Sequence, residues 1–153
     1  MSNITFNVAK GRVVELYNRV KSNDPTNAAI ILVPIETSGL EADATLIDAD
    51  TLAALLSGAT NEQTTMGRKT LTDADLAALP APDDSNDRYE VSLPTVTWTA
   101  ASGNAISKIA VCYDPDTTGG TDANIIPLTM FDFAQTPSGA DIQMTTGVFF
   151  RAS

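Results

Sequence analysis

The sequence predicts a mainly β, single-domain protein: an antiparallel β-sandwich or β-roll with one or two short helices. Two observations carry this prediction. The chain has 153 residues, which suits one domain spanning residues 1–153. From Arg88 onward, short apolar or alternating segments are separated by turn-forming residues, which is typical of strands in an all-β fold. The predicted strands are "RYEVSLP", "TVTWTA", "ISKIAVCYD", "ANIIPLTMFDFA" and "GVFFRAS".

The first third of the chain allows two interpretations. In "RVVELYNRV", Val13, Leu16, Tyr17 and Val20 fit one face of a helix, whereas Val14, Leu16 and Val20 fit one side of a strand. The segment "KSNDPTN" indicates a turn, and the β-branched run "AAIILVPIE" follows it. These neighbours favour a β-hairpin from Arg12 to Glu36 over a helix followed by a strand.

Two short helices are predicted in the middle of the chain. "DADTLAALLSGA" offers Asp48 or Asp50 as an N-cap and Gly58 as a left-handed stop. "TDADLAALP" places Thr72 three residues before Asp75, the spacing of a capping box, and proline ends the turn.

Composition excludes several kinds of chemistry. Histidine is absent, which removes the commonest general base and the commonest transition-metal ligand. The single cysteine, Cys112, lies in an apolar strand segment and is predicted to be an inert core thiol. Asp73 with Asp75, and Asp83 with Asp84, are carboxylate pairs in polar loops and are predicted to be ordinary surface. We therefore expect no catalytic residues, no cofactor and no enzymatic activity.

Charge and hydropathy bear on the partners. The formal net charge is −10, with a local charge of +3 in residues 1–21 and −8 in residues 41–90. Such a surface repels nucleic acid over most of its area. The longest apolar run, residues 28–35, is shorter than the roughly 20 residues of a membrane-spanning helix. No apolar signal core is evident near the N-terminus. Neither nucleic acid nor a membrane is expected as a partner.

The stretch "VCYDPDTTGGTDANIIPL" has two interpretations. Asp114, Asp116 and Gly119 match the opening of an EF-hand calcium loop, and Asp122 adds a further carboxylate. However, the position of the bidentate glutamate is occupied by Ile125, and the flanks are strand-like instead of helical. The favoured interpretation is a turn between two strands, in which Gly119 and Gly120 reverse the chain while Asp114 and Asp122 accept backbone hydrogen bonds. No metal site is therefore expected, and calcium at Asp114, Asp116 and Asp122 is the minor alternative.

A set of short motifs in a fixed order resembles a group of small structural proteins of tailed-bacteriophage virions. The motifs are an R-K-x-L strand in "MGRKTLT", a D-x-x-D-R turn in "DDSNDRYEV", a W-[ST] strand in "TVTWTA" and a C-Y-D-x-D loop in "VCYDPD". The opening "FNVAKGRVVELYNRV" and the segment "GLEADATLIDADTLAALL" are similar to the N-terminal part of the same proteins. The resemblance covers nearly the whole chain.

This resemblance implies a non-enzymatic virion component made in the host cytoplasm. The most economical interpretation is a capsid decoration, or cement, protein on the capsid exterior that binds the major capsid protein and stabilises the shell. Self-association is also expected, and a trimer would suit the three-fold sites of a capsid lattice. The alternatives are a tail, neck or fibre-base protein, or a carbohydrate-binding module for the host surface. The predicted capsid contacts are Lys10, Arg12, Arg19, Lys21, Phe149, Phe150 and Arg151.

Overall fold

The protein is mainly β, with 35% of its residues in strands and 18% in helices, and its sheets are antiparallel. The structure is a computed structural model that describes residues 4–153. Its elements are β1 (Ile4–Thr5), α1 (Val13–Lys21), β2 (Ala29–Glu36), α2 (Asp43–Leu46), α3 (Leu52–Leu55), β3 (Lys69–Leu71), α4 (Asp73–Leu76), β4 (Tyr89–Leu93), β5 (Val96–Trp98), β6 (Ile106–Asp114), β7 (Ile126–Gln135), β8 (Ile142–Met144) and β9 (Gly147–Ala152). The predicted mainly β fold class is confirmed.

Five strands form the largest sheet, in the order β1-β7-β6-β2-β3. Its centre consists of the long pairs β2–β6 and β6–β7, both antiparallel. Strand β2 is buried at seven of its eight positions and β6 at seven of nine, because both run through the core. The aspartate-rich stretch connects β6 to β7, so its predicted role as a connection between two strands is confirmed.

The remaining four strands form two separate two-stranded sheets, β4–β9 and β5–β8. Both small sheets contact β7. Trp98 of β5 packs against Phe133 of β7 with ring centroids 6.4 Å apart, and β9 lies beside β7. The four strands outside the large sheet therefore form two ribbons and not one continuous second sheet of a sandwich.

Helix α1 corrects the hairpin prediction for residues 12–36. The segment is a nine-residue helix, and its buried residues are Val13, Leu16, Tyr17 and Val20. These are the four positions of the helical interpretation, with the spacing i, i+3, i+4 and i+7. The strand interpretation required Val14 to be buried with Leu16, but Val14 is only half-buried.

The other helices are single turns, and the described residues contain four α-helices where the sequence predicts one or two. Helix α3 is capped by Thr51, whose hydroxyl accepts a hydrogen bond from Ala54 N, and not by either predicted aspartate. Gly58 does not adopt a positive φ; it lies against the Glu41 carboxylate, where a Cβ would come within 2.4 Å of Oε2. The capping box of Thr72 and Asp75 at α4 is confirmed.

The buried apolar side chains form one cluster that includes residues of all three sheets and of α1. Cys112 is fully buried in it, and burial raises the pKa of its thiol well above the ordinary value. The thiolate is therefore not populated at neutral pH, which agrees with a core role. Within residues 4–153, no helix combines the length and hydropathy needed to span a membrane.

Candidate interaction surfaces

The basic residues that the sequence singles out lie on helix α1 and just before it. Arg12 and Arg19 are seven positions apart, nearly two helical turns, so they lie on the same side of α1. Glu15 lies between them on that side and is 3.8 Å from Arg12. The Arg12 and Glu15 side chains are 45% and 55% exposed, so this pair is weak and leaves the Arg12 guanidinium accessible.

The other two basic residues are placed differently. Lys10 is exposed just before α1, and its Nζ donates to Asn7 Oδ1. Lys21 is half-buried, and its Nζ donates to the carbonyl oxygen of Leu79 at 2.9 Å. This bond ties the end of α1 to the segment after α4. Lys21 therefore has a structural role. Arg19 is also half-buried, and its Nε donates to the carbonyl oxygen of Asp24 at 3.1 Å, so the exposed basic residues are Lys10 and Arg12.

The three candidate contact residues on the C-terminal strand β9 differ in their exposure. Phe149 is only 7% exposed, and its ring packs on Tyr17 with centroids 6.0 Å apart. It is a core residue and is not available to a partner of the folded chain. Phe150 is half-buried, and Arg151 is exposed and bonded to Glu90 across the β4–β9 pair. Only the end of β9 remains as a candidate contact.

The aspartate loop is held by its own hydrogen bonds. Asp114 Oδ1 accepts from Asp116 N at 3.0 Å, and Asp116 Oδ1 accepts from the Thr118 N and Oγ1. Gly120 has a φ of +83°, which supplies the predicted chain reversal, whereas Gly119 does not adopt a positive φ. Asp114 therefore has its predicted role as a backbone acceptor.

Asp122 has a different role from the predicted one. Both of its carboxylate oxygens accept from the Arg68 guanidinium, at 2.7 and 2.9 Å. The same guanidinium donates to both oxygens of Glu62. Arg68 thus joins the segment before β3 to the loop before β7, and we call these three residues the Arg68 clamp. Arg68 is 54 positions from Asp122 and 6 positions from Glu62 in the sequence. No local sequence pattern indicates these pairings.

The hydrogen bonds of the Arg68 clamp change the pKa values of Asp122 and Arg68. Hydrogen bonds from Arg68 lower the pKa of Asp122, and hydrogen bonds to Asp122 and Glu62 raise the pKa of Arg68. Because Arg68 engages both Asp122 oxygens, this carboxylate is not free to join Asp114 and Asp116 around a cation. The part of the chain that the structure describes contains no group of three acidic, cysteine or histidine residues arranged to hold a metal ion.

The Arg68 clamp predicts a loss of stability in acid. A carboxylate whose pKa is lower in the folded state stabilises the fold above its unfolded pKa, and this contribution is lost as pH falls through the folded pKa. The free energy of unfolding should therefore decrease below about pH 4, the ordinary aspartate range. The decrease should be smaller in Asp122→Asn than in the wild type. Urea unfolding at a series of pH values, followed by Trp98 fluorescence, measures it.

The control for this experiment is Asp50→Asn, which removes an exposed carboxylate outside the clamp. An acid dependence that is the same in Asp122→Asn as in the wild type and the control would show that the clamp does not couple folding to protonation.

Lys108 is a buried cation that the sequence analysis does not indicate. The Lys108 side chain is 9% exposed, and its Nζ lies 2.6 Å from Asp132 Oδ1 and 3.2 Å from Asp43 Oδ1. Burial lowers the pKa of this amine, but the hydrogen bonds to Asp132 and Asp43 outweigh burial and the pKa is raised overall. Lys108 thus remains charged and joins α2 to the β6–β7 pair.

The two carboxylate pairs of the middle segment have local structural contacts. Asp75 accepts from Thr72 N and Oγ1 in the capping box, and Asp83 accepts from Ser85 N and the Asn86 amide in the loop before β4. Asp73 and Asp75 therefore lie in helix α4 and not in a polar loop, and Asp83 holds a turn.

An apolar groove of about 260 Å³ lies between β7 and the start of β9, and we call it the β7–β9 groove. Its lining residues are Leu93, Phe131, Phe133, Gln143, Met144, Thr145, Thr146, Gly147, Val148 and Phe149. None of them is charged. Val148 is 46% exposed and is the one large apolar side chain in residues 4–153 that is exposed to this degree. No sequence pattern indicates this groove, because β8 is not among the predicted strands and Phe131 and Phe133 resemble ordinary core residues.

Comparison with protein-family models, with curated proteins and with solved structures finds no match to this chain.

Proposed function

We propose that this chain is a non-enzymatic structural protein of a tailed-bacteriophage virion, and that it decorates the outer surface of the capsid. Its partner is the major capsid protein, and its effect is to stabilise the shell. The proposal rests on the ordered motifs that resemble small virion proteins. The mainly β fold is compatible with it.

One structural observation carries the choice of a docking surface. Lys10 and Arg12 are exposed next to the start of α1, and the half-buried Arg19 lies on the same side of the helix as Arg12, in a chain whose net charge is −10. A basic face on an otherwise acidic molecule directs that face toward an acidic partner surface.

Weak contacts of this kind suit a protein that binds in many copies. An exposed ion pair contributes about 0–1 kcal/mol, so a single copy gains little from Lys10 and Arg12. A ligand that binds only the assembled shell stabilises that shell by mass action, and many copies add their effects. The decoration therefore strengthens the capsid although each docking contact is modest.

The double variant Lys10→Gln/Arg12→Gln tests the docking surface, since both residues are exposed. Loss of two exposed ion pairs should weaken binding to purified mature capsids by about tenfold at low salt. The difference between variant and wild type should shrink at high salt, because salt screens the contacts. Co-sedimentation with capsids over a range of protein concentrations gives both dissociation constants.

The matched control is Ser102→Glu/Ser138→Glu, which makes the same change of net charge at two exposed serines outside α1. It should bind as the wild type does. Equal weakening by the two double variants would assign the effect to overall charge and would remove α1 as the docking surface.

A further inference from the structure

We infer that the β7–β9 groove is a self-association surface, and that it is covered by the same groove of a second copy related by a two-fold axis. The inference concerns a different surface from the α1 face and does not depend on the virion function.

Charge favours a second copy at this place. Two chains of net charge −10 repel each other over most orientations. The ten residues that line the groove carry no charge, so two copies can bring these surfaces together without placing like charges in contact. An uncharged apolar centre is also what distinguishes the core of a homodimer interface from the remaining surface.

Shape supports the two-fold arrangement. A two-fold interface uses one patch on both copies, so the patch must hold both a protruding group and the recess that receives it. Val148 lines the groove and is 46% exposed, so it is taken as the protruding group. The recess between Phe131, Phe133 and Met144 is apolar and receives Val148 of the other copy.

The backbone of β9 provides a further contact. Among the described residues, β9 pairs only with β4, so one of its edges has no strand partner. Gly147 and Val148 are exposed at the end of β9 that borders the groove. An antiparallel β9–β9 pairing across the two-fold axis would satisfy backbone groups on both copies and bring each Val148 to the facing groove.

Analytical ultracentrifugation of the purified full chain tests this inference. The wild type should show a dimer mass that increases with concentration, and high salt should strengthen the dimer because it screens the repulsion between the two chains. Capsid docking through α1 is expected to weaken with salt, whereas the dimer is expected to strengthen. A failure of one proposal can therefore be distinguished from a failure of the other.

Val148→Glu should raise the dimer dissociation constant at least tenfold, because it places a carboxylate in an apolar contact. Ala53→Glu adds the same charge at an exposed site on α3 and should leave the dimer unchanged. Gln143 is also exposed on the groove, and Gln143→Glu should likewise raise the dimer dissociation constant. It replaces Val148→Glu as the test if that variant misfolds.

Three results would overturn the inference. These are a monomer at every concentration and salt, a dimer that neither groove variant weakens, and a trimer in place of the dimer. Capsid binding of Val148→Glu, measured in the same preparations, is expected to persist because α1 is intact.

Discussion

Replacing Tyr17 with alanine should lower the free energy of unfolding by about 4 kcal/mol, because truncation of a large core side chain leaves a cavity. Tyr17 is 1% exposed, its ring packs on Phe149, and its hydroxyl donates to the carbonyl oxygen of Ser92 at 2.9 Å. It therefore fixes α1 against the β4–β9 sheet. Since whole domains are stable by about 5–15 kcal/mol, this one change removes much of the stability. Urea unfolding followed by Trp98 fluorescence measures it.

Tyr17→Phe separates the two contributions of this residue. It keeps the ring contact and removes only the hydroxyl, so the expected loss is about 1 kcal/mol. A loss of less than about 1 kcal/mol in Tyr17→Ala itself, far below the usual cost of such a truncation, would show that α1 is not held by this contact.

Replacing Trp98 with alanine should lower the free energy of unfolding by a similar amount, about 4 kcal/mol. Trp98 is 1% exposed, and its indole Nε1 donates to the carbonyl oxygen of Gly67 at 3.0 Å. Its ring packs against Phe133, and Lys69 Nζ lies 5.9 Å from the ring centroid. The residue holds the β5–β8 sheet against β7. Far-UV circular dichroism must follow the unfolding, because the variant lacks the protein's one tryptophan.

Trp98→Phe is the matched comparison. It retains an aromatic ring but loses the bond to Gly67, so it should cost clearly less than the alanine variant. If the two variants cost the same, packing of Trp98 against β7 contributes little and the hydrogen bond to Gly67 dominates.

The main difference between the sequence-based and observed folds lies in α1. The apolar residues of 13–20 have helical spacing in the sequence, but the β-branched run that follows them favoured a hairpin. The helix forms because the spacing of Val13, Leu16, Tyr17 and Val20 buries all four in the core. There α1 lies beside α4 and β2, and Tyr17 packs on Phe149 of β9. The local sequence fits both a helix and a strand, and tertiary packing selects the helix. Strands β4, β5, β6, β7 and β9 were predictable, since each carries its own pattern of buried positions and its own flanking turns, whereas the three-residue β8 was not.

The surfaces were less predictable than the strands. The basic residues of α1 could be named from the sequence, but the contact of Lys21 with Leu79 and the burial of Phe149 depend on distant segments. The Arg68 clamp and the β7–β9 groove depend in the same way on how strands remote in sequence are brought together. Pairings over such distances leave no local pattern in a single sequence.

Co-sedimentation of the purified protein with mature capsids and, separately, with isolated tails tests the proposed function. A decoration protein should bind capsids saturably, on the order of hundreds of copies per particle, and this binding should weaken at high salt. Binding to tails alone, or to capsids in only a few copies, would contradict the proposal and assign the protein to the neck, tail or fibre base.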